Sequence, residues 1–113
     1  LLQIGEEAIE GAIFTAAFFS GDPSPTVQSF VSNYKETYGE EPDMFAALGY
    51  DAARMVFEAI KNKGTESEQI REGLAEIKDF PGITGLTSID EEGDTLKEIL
   101  ILQVEDGDFK RIR

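Results

Sequence analysis

Hydrophobic positions first run together as GAIFTAAFF, Gly11 to Phe19, with no polar residue except Thr15. An apolar block of that length, bounded by Gly11 and by the turn cluster SGDPSP, predicts a buried strand. The ten residues before it form a short amphipathic stretch, the tail of a helix or a loop. After it the period changes. Ser24 is suited to cap a helix whose first position is Pro25, where a missing N–H costs nothing. Val27, Phe30, Val31, Tyr34 and Tyr38 then recur at helical spacing, one core face opposite a polar one, until Gly39 closes the element.

FAALGYDAARMVFEAI, Phe45 to Ile60, is different again. Its only charges are Asp51, Arg54 and Glu58, and Ala recurs five times. A helix from about Met44 to Lys63, stopped by Gly64, is predicted, and its apolar circumference expects cover on more than one side. Thr65 and Glu68 make a T-x-x-E capping box for a third helix turning Ile70, Leu74 and Ile77 inward and ending at Pro81-Gly82. Ile83 to Ile89 reads as a short strand and DEEGD, Asp90 to Asp94, as a turn. KEILILQVE, Lys97 to Glu105, is the strongest strand, apolar on both faces at Ile99 to Leu102. Asp106-Gly107 is a two-residue hairpin signal returning the chain through Phe109 and Ile112.

The order is strand, three helices, three strands, an α/β arrangement with helices packed on a sheet and a C-terminal β-hairpin. Those helices carry more apolar surface than the few short strands can cover. Part of the sheet is therefore expected from residues outside this sequence. A first residue of Leu1, with no initiator Met and no signal segment, reads as a processed product or a fragment.

Composition narrows the function. The chain has 113 residues, one domain's worth, with 41% hydrophobic and 29% charged residues, as in a globular protein. No apolar run approaches the ~20 residues that span a bilayer. Ten basic against 23 acidic residues give a net charge of −13, which nucleic acid and anionic membranes would repel. With no Cys and no His, thiol nucleophiles, disulfides and the commonest metal ligands and general base are all missing.

The remaining chemistry is thin. Asp51 is the one acid in an apolar setting, and a buried carboxylate of that kind is expected to be paired at an element junction rather than catalytic. DEEGD fails as a calcium loop: its Gly stands fourth and its twelfth position is Ile101. A tight turn is the better use. GDPSP lacks the Gly-rich run and the Lys of a phosphate loop. Phe18, Phe19, Phe45 and Tyr50 are aromatics that line either a core or a small-molecule pocket.

Taken in order, P-D-x-F-A-A-L-G-Y-D-A at 42–52, G-I-T-G at 82–85, D-E-E-G-D at 90–94 and the closing D-G-D-F resemble the C-terminal third of a type I periplasmic solute-binding protein. The subgroup is that of the branched-chain amino-acid and amide receptors of ABC importers. The resemblance runs over nearly the whole chain. It implies a two-lobed α/β fold with the ligand between lobes, residues 1–19 and 99–113 belonging to the second lobe and its crossings, and 20–98 to the first.

The same resemblance implies a non-catalytic receptor, periplasmic or extracellular and lipid-anchored in some organisms. Its partners would be a small-molecule ligand, an amino acid or amide, and an ABC transporter permease, with no cofactor and no metal. A ligand-sensing domain of a regulatory or signalling receptor on the same fold is the alternative. In such receptors the groups that grip the ligand's carboxylate and amine lie N-terminal to this sequence. Phe45 matches an aromatic that meets the ligand side chain, and Phe18 and Phe19 are crossing residues also assigned to ligand contact. Alone, the chain is expected to self-associate.

Overall fold

The structure, a computed structural model, describes residues 2–113, with Glu6 described by its backbone alone. Leu1, the start of the predicted amphipathic stretch, lies outside the described residues. The chain runs α1 (Leu2–Gly5), a 3₁₀ turn (Glu6–Ile9), β1 (Ile13–Ala16), α2 (Pro25–Tyr38), α3 (Met44–Lys63) and α4 (Ser67–Ala75). Five strands follow: β2 (Phe80–Gly82), β3 (Gly85–Ile89), β4 (Thr95–Lys97), β5 (Leu100–Glu105) and β6 (Asp108–Arg111).

Local chemistry sets the long helices. The Val27 amide donates to Ser24 Oγ at 3.3 Å ahead of Pro25, and the Gly39 amide closes α2 on the Lys35 carbonyl at 2.8 Å. The Ala46 amide donates to the Asp43 carboxylate at 2.8 Å, opening α3, and Gly64 ends it on the Ile60 carbonyl. The third helix departs from expectation. Its capping box is Glu66 with Gln69, one residue later than Thr65 with Glu68. It stops at Ala75, and Pro81-Gly82 lie in β2 instead of ending it.

The strands form two sheets. β1, β5 and β6 make an antiparallel sheet in the order β1-β5-β6, with Ile13 opposite Gln103 and Val104 opposite Phe109. β2, β3 and β4 make an antiparallel meander, Thr87 opposite both Phe80 and Lys97. Three predicted strands change: Ile83 to Ile89 is a strand only over Gly85–Ile89, after a turn at Ile83-Thr84. The block from Gly11 to Phe19 is a strand only over Ile13–Ala16, because Phe18 leaves the sheet for the helical core. Lys97 to Glu105 is two strands, broken at Glu98-Ile99, and β5 has a partner on each edge.

Two clusters make the core of the helical body. Phe18, Val27, Phe30, Val31, Ala47 and Ile83 lock α2 onto α3 and the β2–β3 turn. Met55, Ile77 and Phe80, with Leu74 and Ile89 against them, lock α3 onto the meander. Of the α2 residues expected inward, Tyr34 is only partly buried and Tyr38 is exposed.

The long helix buries one side. Ala47, Asp51, Met55 and Ala59 face inward at a spacing of four. On the opposite side Phe45, Gly49, Ala52, Ala53 and Phe57 form an exposed stripe without a charge. Leaving apolar area wet costs about 25 cal/mol per Å². The molecule is also extended, with a radius of gyration of 16.4 Å, where a compact chain of this length has about 13 Å. Its terminal sheet, β1-β5-β6, pairs no strand with the helical body and the β2-β3-β4 meander packed on it.

Candidate ligand-contact residues and the Asp51 junction

Phe45 sits in the first turn of α3, two residues past the Asp43 cap, and is 75% exposed. Pro42, which precedes the cap, is buried. The ring is thus presented outward at a helix start held by the Asp43 cap.

Phe18 has the opposite setting. It is buried edge-to-face against Phe30, ring centroids 5.9 Å apart at 87°. Phe19 is half-buried, folded over Gly21, and lines a cavity of about 210 Å³ between the terminal sheet and the helical body. Among the described residues no ring pair joins Phe45 to either.

A larger groove, about 720 Å³, runs between the outer faces of α2 and α3. Phe30, Tyr34 and Tyr38 ladder along α2 at a spacing of four, with centroids 5.8 and 4.6 Å apart. Tyr50 of α3 closes the ladder 4.8 Å from Phe30, and Arg54 lies over Tyr50 at 5.6 Å. Partial burial, and then the nearby Glu40 and Asp43 carboxylates, raise the Tyr34 hydroxyl above the usual phenol pKa. The 30/34/38 repeat was visible in the sequence, where it reads as core.

Among the described residues Asp51 is the buried acid, 1% exposed. The Ile83 amide donates to its Oδ1 at 3.0 Å, and the Thr84 amide and Thr84 hydroxyl donate to its Oδ2 at 2.8 and 2.7 Å. Arg54 Nη1 stands 3.8 Å from the same carboxylate and donates to the Pro81 carbonyl at 3.3 Å. Lys97 Nζ donates to Thr84 Oγ1 at 2.7 Å, so the hydroxyl passes the contact on to β4. Gly82 is required here for space: a Cβ on it would lie 2.8 Å from Asp51 Cγ. The carboxylate is therefore engaged on both oxygens by the G-I-T-G turn.

DEEGD is a self-capped turn. The Glu92 and Asp94 amides donate to Asp90 Oδ1 at 3.1 and 2.8 Å. Among the described residues no three acidic side chains converge in a way that would hold a metal ion. The groove between α2 and α3 offers aromatic faces and tyrosine hydroxyls for contact.

Residues 1–108 match the periplasmic binding protein family. Among solved structures, the leucine-binding protein LivK of Thermotoga maritima is 36% identical, with a TM-score of 0.82 over 99% of this chain and 33% of its own. LivJ of Streptococcus pneumoniae, a branched-chain amino acid transporter substrate-binding protein solved with isoleucine, is 34% identical over 87% of this chain and 28% of its own, with a TM-score of 0.76. An ABC-transporter solute-binding protein of Rhodopseudomonas palustris, solved with 3,4-dihydroxybenzoic acid, is 31% identical over 94% of this chain and 30% of its own, with a TM-score of 0.79. The chain spans about a third of the length of these relatives. Across that third the fold is shared with these structures, and the chain belongs to the periplasmic binding protein family.

Proposed function

We propose that this chain is part of an extracytoplasmic receptor that captures a small amino acid or amide and delivers it to an ABC transporter permease, without catalysis. The terminal sheet, with residues 1–19 and 99–113, belongs to the second lobe and its crossings, and 20–98 to the first. The family match over residues 1–108 carries this reading, and the exposure of Phe45 at the capped start of α3 supports a role for it in ligand contact.

Isoleucine, bound by one relative, carries its carboxylate on an apolar body, and 3,4-dihydroxybenzoic acid, bound by another, carries it on an aromatic ring with two hydroxyls. In this reading Phe45 meets the apolar body. Phe19 lines the cavity at the crossing, and Phe18 contributes from beneath through its packing on Phe30. The family resemblance supports the amino-acid class; the aromatic acid remains an arm of the test.

The test is calorimetry on the complete receptor with leucine, isoleucine and benzoates. Phe45→Ala is expected to weaken binding by about 1–3 kcal/mol through the lost aromatic–aliphatic contact. Unchanged affinity in a folded variant removes Phe45 from the site. Binding of benzoates with no binding of amino acids overturns the ligand class and leaves the receptor reading standing.

A further inference from the structure

The two ends of the molecule are coupled by very little. The terminal sheet shares no strand with the meander, and the chain passes between sheet and helical body only at 17–24 and 98–99. Among the described residues, one side-chain hydrogen bond or ion pair joins the two: Arg111 Nη1 of β6 donates to Asp22 Oδ2 at 2.8 Å.

Asp22 is held firmly on the helical side. Its Oδ1 accepts from the Ser24 amide at 2.9 Å, and its carbonyl accepts from Gln28 Nε2 at 2.7 Å, which also reaches the Ser20 carbonyl at 2.9 Å. The carboxylate is thus anchored to the start of α2, and its side chain is 18% exposed. Arg111 is carried by the edge strand of the other unit. Beside the pair lies the 210 Å³ cavity, lined by Glu98 of one crossing, Phe19 of the other and Leu100 at the start of β5. A rotation about the two crossings has room to move into, and this ion pair opposes it.

We infer that Asp22–Arg111 is a latch that sets the angle between the terminal sheet and the helical body. The inference rests on this chain's own geometry and is independent of any ligand. Anchoring the acid and leaving the base half-exposed suits a contact that breaks and re-forms as a unit. One partner stays in register while the other swings.

The absence of Cys makes the test direct. Lys61→Cys on α3 and Asp108→Cys at the hairpin tip accept spin labels, and labelled chain is diluted in excess unlabelled chain so that only intramolecular distances are read. The parent and Arg111→Lys are expected to give one narrow distance distribution. Arg111→Gln, and Asp22→Asn, which keeps the acceptor for the Ser24 amide, are expected to broaden it. The splayed-to-latched ratio should rise about fivefold, the effect of an ion pair at the upper end of the exposed range. Circular dichroism should stay unchanged in both, as helix and strand content is not touched. The same distribution in all four proteins overturns the latch, as does an equal broadening in Arg111→Lys.

Discussion

Asp51 stands in the middle of a helix, with Arg54 one turn on and 3.8 Å from its carboxylate, and it is 1% exposed. Its three donors come from residues 32 and 33 positions away. Asp51→Ala leaves two buried amides and a hydroxyl without an acceptor, and each such loss costs on the order of 1–3 kcal/mol. We expect Asp51→Ala to lower the urea-unfolding free energy by about 3 kcal/mol. Asp51→Asn, which keeps one acceptor oxygen, should lose less. Equal stability of all three proteins would show that the turn holds without the carboxylate. That Asp51 is paired at a junction could be anticipated from the sequence, since an acid among Ala, Met and Phe must find donors. Which donors could not, because the G-I-T-G turn reads as ordinary strand until it is folded back onto α3.

At the scale of elements, what was legible followed the range of the interactions. Ser24-Pro25 with Gly39, and Gly64 after a charge-poor run, bound α2 and α3 through neighbours a few residues apart. β2 and β4, three residues each, carry no alternation to detect; their pairing partners alone make them strands. The capping box moved by one residue because Gln69, not Glu68, reaches back to the cap amide. Of the candidate site residues, Phe45 could be placed at a helix start by local pattern. The burial of Phe18 depended on Phe30, which no local pattern supplies. The DEEGD turn belongs to this scale too. Asp90 already accepts two amides of its own turn, so adding calcium should give no saturable rise in melting temperature. A rise that is lost in Asp90→Asn with Asp94→Asn would overturn this, since a bound ion stabilises the native state by linkage.

For the whole molecule the exposed stripe of α3 and the net charge of −13 act against each other. The stripe favours a second copy; the charge repels it over about 10 Å at 0.1 M salt and over about 3 Å at 1 M. We propose that the isolated chain self-associates through this stripe as the salt concentration rises. Sedimentation should find mostly monomer at low ionic strength and dimer or larger species near 1 M, and Phe57→Lys should suppress the larger species. A monomer at every salt concentration would mean that the stripe tolerates water.

The terminal sheet has a consequence for the order of events in folding. β1 and β5 flank almost the entire helical body, so pairing Ala16 with Leu100 closes the loop from 17 to 99. Loop-closure entropy for that length is about 4 kcal/mol above a constant, whereas β5 meets β6 across a two-residue turn. Asp106 and Gly107 hold that turn in the left-handed region at φ 54° and 75°, and the Glu10 carboxylate accepts from both amides. The hairpin can therefore form early and the β1 seam only after the helices have drawn its ends together. In native-state hydrogen exchange, the β1–β5 amides should open at a lower free energy than those of α3. Synchronous exchange of β1 with α3 would instead make the chain a single cooperative unit. If the seam opens first, the last strand pairing to form is also the first to be given up, and transient access to the edge of β5 is written into the topology itself.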